Sequence, residues 1–132
     1  MAKARIAVIG AGLMGHGIAQ VFALAGHDVT IYDSVMASLD SAKARILKNL
    51  KDLGDDQKAV ERVTPVANLS TAVRAADYVV EAVLEDPPLK KKIFAEIEKH
   101  VRPDTILASN TSVIPITKIM GGLADKLRAL AK

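Results

Sequence analysis

The first 33 residues hold the pattern that most limits what this chain folds into. Ile6, Ala7, Val8 and Ile9 form an unbroken apolar run, glycines at 10, 12, 15 and 17 interrupt it, and Ile18, Ala19, Val21, Phe22 and Ala25 then recur at helical spacing until Gly26. A short run that is apolar at every position marks a strand covered on both faces, as in a parallel sheet flanked by helices. Asp28–Tyr32 restores a β-branched alternation through Val29 and Ile31, and Asp33 ends it. Strand, glycine turn, helix and strand make one βαβ unit with a right-handed crossover.

The rest of the chain continues the alternation. Leu39, Ala42, Ile46, Leu50 and Leu53 step by three or four, which predicts a helix stopped by Gly54, with Asp40, Lys43, Lys48 and Lys51 on a solvated face. Residues 55–62 read as a short helix or loop, 63–66 as a weak third strand compromised by Pro65, and 69–76 as a short helix. Tyr78, Val79 and Val80, followed by Ala82 and Val83, predict a fourth, buried strand. Asp86-Pro87-Pro88 is a helix start with an N-cap acid; Leu89, Ile93, Phe94, Ile97 and Val101 share one face of that helix, and Pro103 follows it. Residues 105–108 are expected as a fifth strand, 109–112 as a polar turn and 114–120 as a short helix ended by Gly121-Gly122. Leu123, Leu127 and Leu130, with Lys126, Arg128 and Lys132 between them, predict a final helix. Strands alternating with helices give an α/β, doubly wound, mainly parallel sheet of about five strands with helices on both faces. At 132 residues the chain is expected to be a single domain, 1–132.

Composition removes several function classes. Aromatic residues are 3 % of the chain, with no Trp, which leaves little from which to build a base-stacking platform for single-stranded nucleic acid. Eighteen basic residues against fifteen acidic ones give a net charge of only +3, and the one tight basic cluster is Lys90, Lys91 and Lys92. No nucleic-acid partner is expected. The absence of cysteine removes disulfides, thiolate chemistry and cysteine-based metal sites. Apolar stretches fall short of the ~20 residues of a membrane helix, and the run after the basic start is too short for a signal sequence. A cytoplasmic protein without a membrane partner is therefore expected.

Gly10-Ala11-Gly12-Leu13-Met14-Gly15 matches Gly-x-Gly-x-x-Gly. It follows a predicted strand, opens a predicted helix and is followed about twenty residues on by an acid, Asp33, at the end of the second strand, which together form the dinucleotide-binding fingerprint. Gly10 permits the turn, Gly12 lets the backbone approach a pyrophosphate, and Gly15 lets the helix pack on the strand. Backbone N–H groups at the helix start then face the phosphates. An aspartate at position 33 accepts from both ribose hydroxyls and repels a 2′-phosphate, which favours NAD over NADP. The competing reading, a flexible turn with Asp33 as a strand-end cap, explains less of the joint pattern, and no Gly-Lys-Ser/Thr follows to suggest a P-loop. His16 reads as a phosphate contact or as a solvent-facing or capping residue of the first helical turn. Glu81 and Glu85 suggest orientation of ligand hydroxyls more than acid–base chemistry, and residues 109–112 serve equally as a polar turn and helix cap. His27 and His100 have no partner pattern for catalysis or metal binding, and no metal site is expected.

Three segments together resemble a known family. Residues 8–19, the run Val79-Val80-Glu81-Ala82-Val83-Leu84-Glu85 and the run Ala108-Ser109-Asn110-Thr111-Ser112 are similar in order and spacing to the amino-terminal, Rossmann-type NAD-binding domain of the 3-hydroxyacyl-CoA dehydrogenases, including carnitine dehydrogenases and lambda-crystallins. The resemblance covers about residues 4–122. It implies that Gly10, Ala11, Gly12, Leu13, Met14 and Gly15 hold the pyrophosphate, that Asp33 holds the adenosine ribose, and that Ala82 touches the cofactor through its backbone. It also implies that Glu85 and Lys90 lie toward the nicotinamide-side ribose, and Ser112 beside the nicotinamide and the substrate oxygen.

The chain departs from the family after Gly122. Full-length members continue into a sixth strand and a Gly-x-His-Phe-Phe-Asn-Pro type segment whose histidine, paired with a later glutamate, is the catalytic base, and then into a helical second domain. None of that sequence is present, and His16, His27 and His100 do not match the catalytic position. Asn49 and Asp56, which align where the family contacts CoA, do not form a phosphate-binding pattern. The resemblance therefore implies an NAD(H)-binding domain that does not turn over alone. Two alternatives remain: a dehydrogenase completed by a partner chain, and an engineered or truncated scaffold without turnover. An apolar surface at Val113, Ile114, Ile116, Ile119 and Met120 leads to an expectation of self-association, as in a homodimer.

Overall fold

A computed structural model describes residues 3–110 and 129–131. Its elements alternate as the sequence pattern requires: β1 (Arg5–Ile9), α1 (Leu13–Leu24), β2 (Asp28–Tyr32), α2 (Met36–Leu53), a 3-10 helix (Gln57–Arg62), β3 (Val63–Pro65), α3 (Leu69–Val73), β4 (Tyr78–Glu81), α4 (Pro87–His100), β5 (Ile106–Ser109) and β6 (Ala129–Ala131). The strands form one sheet in the order β3-β2-β1-β4-β5-β6, and every pairing is parallel. Strands 1 to 3 run outward in one direction and strands 4 to 6 in the other, so the order reverses between β1 and β4. Ligands of open parallel sheets bind beyond the carboxyl ends of the strands at such a reversal.

The unbroken apolar run of β1 follows from this central position. Ile6 and Val8 join one core cluster with Val29, Ile31, Leu39 and Ile46, whereas Ala7 and Ile9 join the other with Val79, Phe94, Ile97 and Leu107. Successive strand side chains point to opposite faces, and here both faces are covered by helices. Helix α2 turns its buried stripe of Leu39, Ala42, Ile46 and Leu50 onto the first cluster and ends at Gly54, whose φ of +72° is strained for any residue with a Cβ. Pro65 is accommodated because β3 is an edge strand.

Three expectations are corrected. The tail predicted as a helix ends instead in β6, whose Ala129, Leu130 and Ala131 pair with Leu107, Ala108 and Ser109, so the sheet has a sixth strand. Helix propensity differs by only about 0.7 kcal/mol per residue among ordinary side chains, and the open backbone edge of β5 outweighs it. Ala82 and Val83 lie outside β4: Ala82 N–H still donates to Ile9 O, but β1 then becomes the glycine turn and there is nothing further to pair with. Ser109, expected in a polar turn, is the buried last residue of β5 because it pairs in register with Glu81. The helix expected over 114–120, the apolar surface at 113–120 and Ser112 lie outside the described residues.

Candidate functional site

The glycine turn connects the carboxyl end of β1 to the first turn of α1. Gly10 has φ of +114°, its N–H donates to Tyr32 O, and a Cβ there would lie 2.6 Å from Ala82 O. Gly15 is tighter still: its Cβ would stand 1.6 Å from Gly10 O, so α1 sits this close to the turn only because the residue is glycine. Gly12 differs. It is the N-cap of α1, makes no side-chain cap bond, and an added Cβ would meet nothing within 4 Å. The first turn of α1 carries no acid. The positive end of its dipole and its free N–H groups are thus left to an external anion.

Asp33 stands across the turn at the end of β2. Its Oδ2 accepts from Ala11 N–H at 2.7 Å and its Oδ1 from Val35 N–H at 2.7 Å. It therefore ties the turn to the end of β2, and each oxygen keeps a further lone pair for a ligand hydroxyl. Gly10, Gly12, Asp33, Ser38, Ala82 and Leu89 line a cleft of about 320 Å³ at the carboxyl ends of β1, β2 and β4. A second cleft, of about 430 Å³, lies on the α1 side of β4 and β5 between Leu13, Val21, Tyr78, Ala108 and Ser109. The first contains Gly10, Gly12 and Asp33 of the fingerprint, whereas Leu13 and Met14 line the second; its place at the strand-order reversal makes the first the candidate cofactor site.

His16 is buried rather than solvent-facing. Its Nδ1 is 2.8 Å from Gly12 O and 3.1 Å from Arg45 Nη1, and its Nε2 is 3.2 Å from Asn49 Nδ2. Neither the solvent-facing nor the capping reading describes this geometry, because the ring is buried against α2 and α1 has no side-chain cap bond. Asn49 also donates to Gln20 Oε1, so its amide faces α1. Asp56 caps the 3-10 helix through Lys58 N–H. His27 is structural: its Nδ1 accepts from Ala4 N–H, and its ring lies edge-on to Phe22. His100 is exposed in the last turn of α4.

Ala82, Val83 and Leu84 form the opposite wall of the cleft. Beneath them Lys90 Nζ contacts Glu81 Oε2, Val83 O and Glu85 Oε1 at 2.5, 3.2 and 3.0 Å. Lys90 and Glu81 are completely buried, whereas the Glu85 side chain is 41 % exposed. An ammonium has three donors, and all three are engaged. Glu81 also accepts from Ser109 Oγ and Val83 N–H. Asp86 is the N-cap of α4 by position, but its side chain makes no cap bond. Sequence reading missed Ser109 as a partner of Glu81, and it missed Arg45. The one local sign of Arg45 was its place beside the buried Ala42 and Ile46 on α2.

With this geometry in hand, comparison with known proteins is decisive. The sequence model of the 3-hydroxyacyl-CoA dehydrogenase NAD binding domain matches residues 5–131. The chain belongs to the 3-hydroxyacyl-CoA dehydrogenase family. It is 38 % identical to a probable 3-hydroxyacyl-CoA dehydrogenase of Caenorhabditis elegans, over 93 % of this chain and 44 % of that protein. It is also 38 % identical to a 3-hydroxybutyryl-CoA dehydrogenase of Mycobacterium tuberculosis, over 96 % of this chain and 47 % of that protein. The crystal structure of (S)-3-hydroxybutyryl-CoA dehydrogenase from Ralstonia eutropha superposes with a TM-score of 0.91 at 31 % identity, covering 98 % of this chain and 48 % of that one. The chain thus spans less than half the length of these relatives.

This 3-hydroxyacyl-CoA dehydrogenase domain is Rossmann-like and binds an NAD-type dinucleotide. Its residues fit that group: Gly12 leaves open space where a Cβ would otherwise intrude, and the α1 N-terminus carries no acid of its own. No helix among the described residues is long and apolar enough to cross a membrane. Among the same residues no group of three or more His, Cys, Asp or Glu is placed to hold a metal ion.

Proposed function

We propose that this NAD-binding domain prefers NAD(H) to NADP(H) and holds it in the 320 Å³ cleft, and that the chain of 132 residues does not oxidise hydroxyacyl-CoA by itself. The observation that carries the reading is the position of Asp33. Its carboxylate is fixed by two backbone N–H groups in the same cleft as the open Gly12. A ribose diol donates two hydrogen bonds to such a carboxylate, whereas a 2′-phosphate brings like charge against it.

The backbone from Gly10 to Gly15 receives the pyrophosphate, with Ala11, Leu13 and Met14 contributing main-chain groups and the α1 dipole favouring its charge. Ala82 forms the wall beside the dinucleotide. Glu85, the exposed member of the Lys90 network, turns its carboxylate toward the nicotinamide-side ribose, and Lys90 holds that carboxylate from behind. Ser112 is assigned beside the nicotinamide on the resemblance alone. Bound there, the nicotinamide supplies hydride transfer. A keto substrate also needs a proton donor within hydrogen-bond reach. None of the three histidines lines the cleft: His16 is buried between α1 and α2, His27 is held by Ala4, and His100 is the last residue of α4, which leads to the amino end of β5.

Calorimetric titration with NADH and NADPH tests the binding, with NADH expected to bind more tightly. No detectable NADH binding at millimolar concentration would refute the reading. An absorbance assay with acetoacetyl-CoA and NADH is expected to stay at background, and steady NADH consumption would show the chain to be catalytically complete.

A further inference from the structure

We infer that Arg45 is a positioning residue for the cofactor: it aims the glycine turn and supplies positive charge to the pyrophosphate from behind the loop. The inference rests on the dinucleotide reading above. Arg45 lies on α2, and its guanidinium reaches across to the turn. Nη2 donates to Ala11 O at 2.5 Å and to Ser38 O at 2.9 Å, and Nη1 is 3.1 Å from His16 Nδ1. Ser38 itself lines the cofactor cleft. The two N–H groups of Nη2 therefore tie the glycine turn at Ala11 to the first turn of α2 at Ser38, with directions fixed by the planar guanidinium fork, whereas a lysine's ammonium rotates freely.

The bond to Ala11 O has a directional consequence. Ala11 O and Gly12 N–H belong to one peptide plane, and in a trans peptide they point in opposite directions. With the carbonyl drawn to Arg45 on α2, the Gly12 N–H is turned away from α2. The preceding N–H, that of Ala11, is taken by Asp33. The residue between the first two glycines is thus held at both ends, by an acid on one side and a base on the other.

The charge of Arg45 is not used up by the protein. Its acceptors are two neutral carbonyl oxygens, its Nε is buried without a partner, and it makes no ion pair with a carboxylate among the described residues. The acid in the network, Asp33, is bound to the N–H of the same residue, Ala11, whose carbonyl Arg45 holds. A dianionic pyrophosphate against the outer side of the loop answers this charge across a single layer of backbone, where screening by water is weak.

The test compares adenosine, which has no phosphate, with ADP-ribose, which has the pyrophosphate but no nicotinamide. Both are titrated by calorimetry into the wild type, Arg45→Met and Arg45→Lys, each checked by circular dichroism. Arg45→Met is expected to weaken ADP-ribose by roughly tenfold or more while changing adenosine by less than about twofold. Its ADP-ribose affinity is also expected to fall less steeply with potassium chloride than that of the wild type. Arg45→Lys, which keeps the charge and loses the fork, is expected to fall between the two, and it carries the same comparison if the Met variant does not fold. Equal losses for both ligands, or unchanged ADP-ribose binding and salt dependence, would overturn the inference. Failure of the wild type to bind ADP-ribose would instead overturn the dinucleotide reading itself.

Discussion

Lys90 Nζ lies 2.5 Å from Glu81 Oε2, and neither side chain has any exposed surface. The pair ties the first turn of α4 to the end of β4. Glu81 extends the tie to β5 through Ser109, and Lys90 extends it to the loop through Val83 O and Glu85. A buried ion pair is poor evidence of net stabilisation, because desolvation of both charges offsets their attraction. Its effect here is geometric. It fixes the loop that forms one wall of the candidate cofactor cleft, and it keeps the ammonium behind that wall rather than in the cleft.

Removing one partner should therefore cost more than removing both. Lys90→Met leaves a buried carboxylate with only a hydroxyl and one N–H, and is expected to destabilise the fold by about 3–5 kcal/mol. The double variant Lys90→Met, Glu81→Gln is expected to lose less than the sum of the single variants. Urea unfolding of all four proteins measures this cycle. Single losses below about 1 kcal/mol would mean that water reaches the pair.

Cofactor choice is expected to follow Asp33. Asp33→Ala removes the acceptor for the ribose diol and frees the N–H groups of Ala11 and Val35. NADH affinity should weaken by roughly 1–3 kcal/mol. NADPH should lose little or gain, because like charge beside its 2′-phosphate disappears. Parallel titrations with the two cofactors report the ratio, and an unchanged ratio would place the adenosine ribose elsewhere.

Acid stability should depend on Asp77, at the amino end of β4. The Arg5 N–H bonded to its carboxylate, reinforced by the Arg102 guanidinium, holds its pKa below the ordinary aspartate value. A carboxyl group whose pKa is lower folded than unfolded stabilises the fold above its unfolded pKa, and this contribution is lost as pH falls through the folded pKa. The loss is therefore expected below about pH 4. In Asp77→Asn the melting temperature should vary less steeply with pH in that range than in the wild type. Identical slopes would show that the bond is solvated in both states.

How far the sequence reveals this molecule depends on whether a signal is local. β1, α1, β2 and α2 were legible because strands covered on both faces and helices covered on one leave different periods in the chain. Gly10 and Gly15 are legible because each answers a steric demand within a few residues or across one strand pair. β6 was not, since three residues carry no period and their strand state comes from the edge of β5. Arg45 and Ser109 were not, since the partners that define them, Ala11 and Glu81, lie 34 and 28 residues away. His16 was misjudged for the same reason: its burial is provided by α2.

Two glycines of one motif should separate stability from binding. Gly15→Ala forces a Cβ to within 1.6 Å of Gly10 O, backbone that α1 and β1 both hold in place, so this variant is expected to be unfolded or to bind no cofactor. Gly12→Ala adds a methyl group to open space at φ of −74°, a backbone angle that alanine adopts without strain. Its melting temperature should stay within about 2 °C of the wild type, because only a small backbone-entropy difference remains. Its NADH affinity should nonetheless fall by roughly tenfold or more, because the methyl group occupies the space through which a phosphate approaches the turn. Thermal melts and NADH titrations on the two variants read this directly. If Gly12→Ala binds NADH as the wild type does, the pyrophosphate does not pass over Gly12, and the open space there has another explanation.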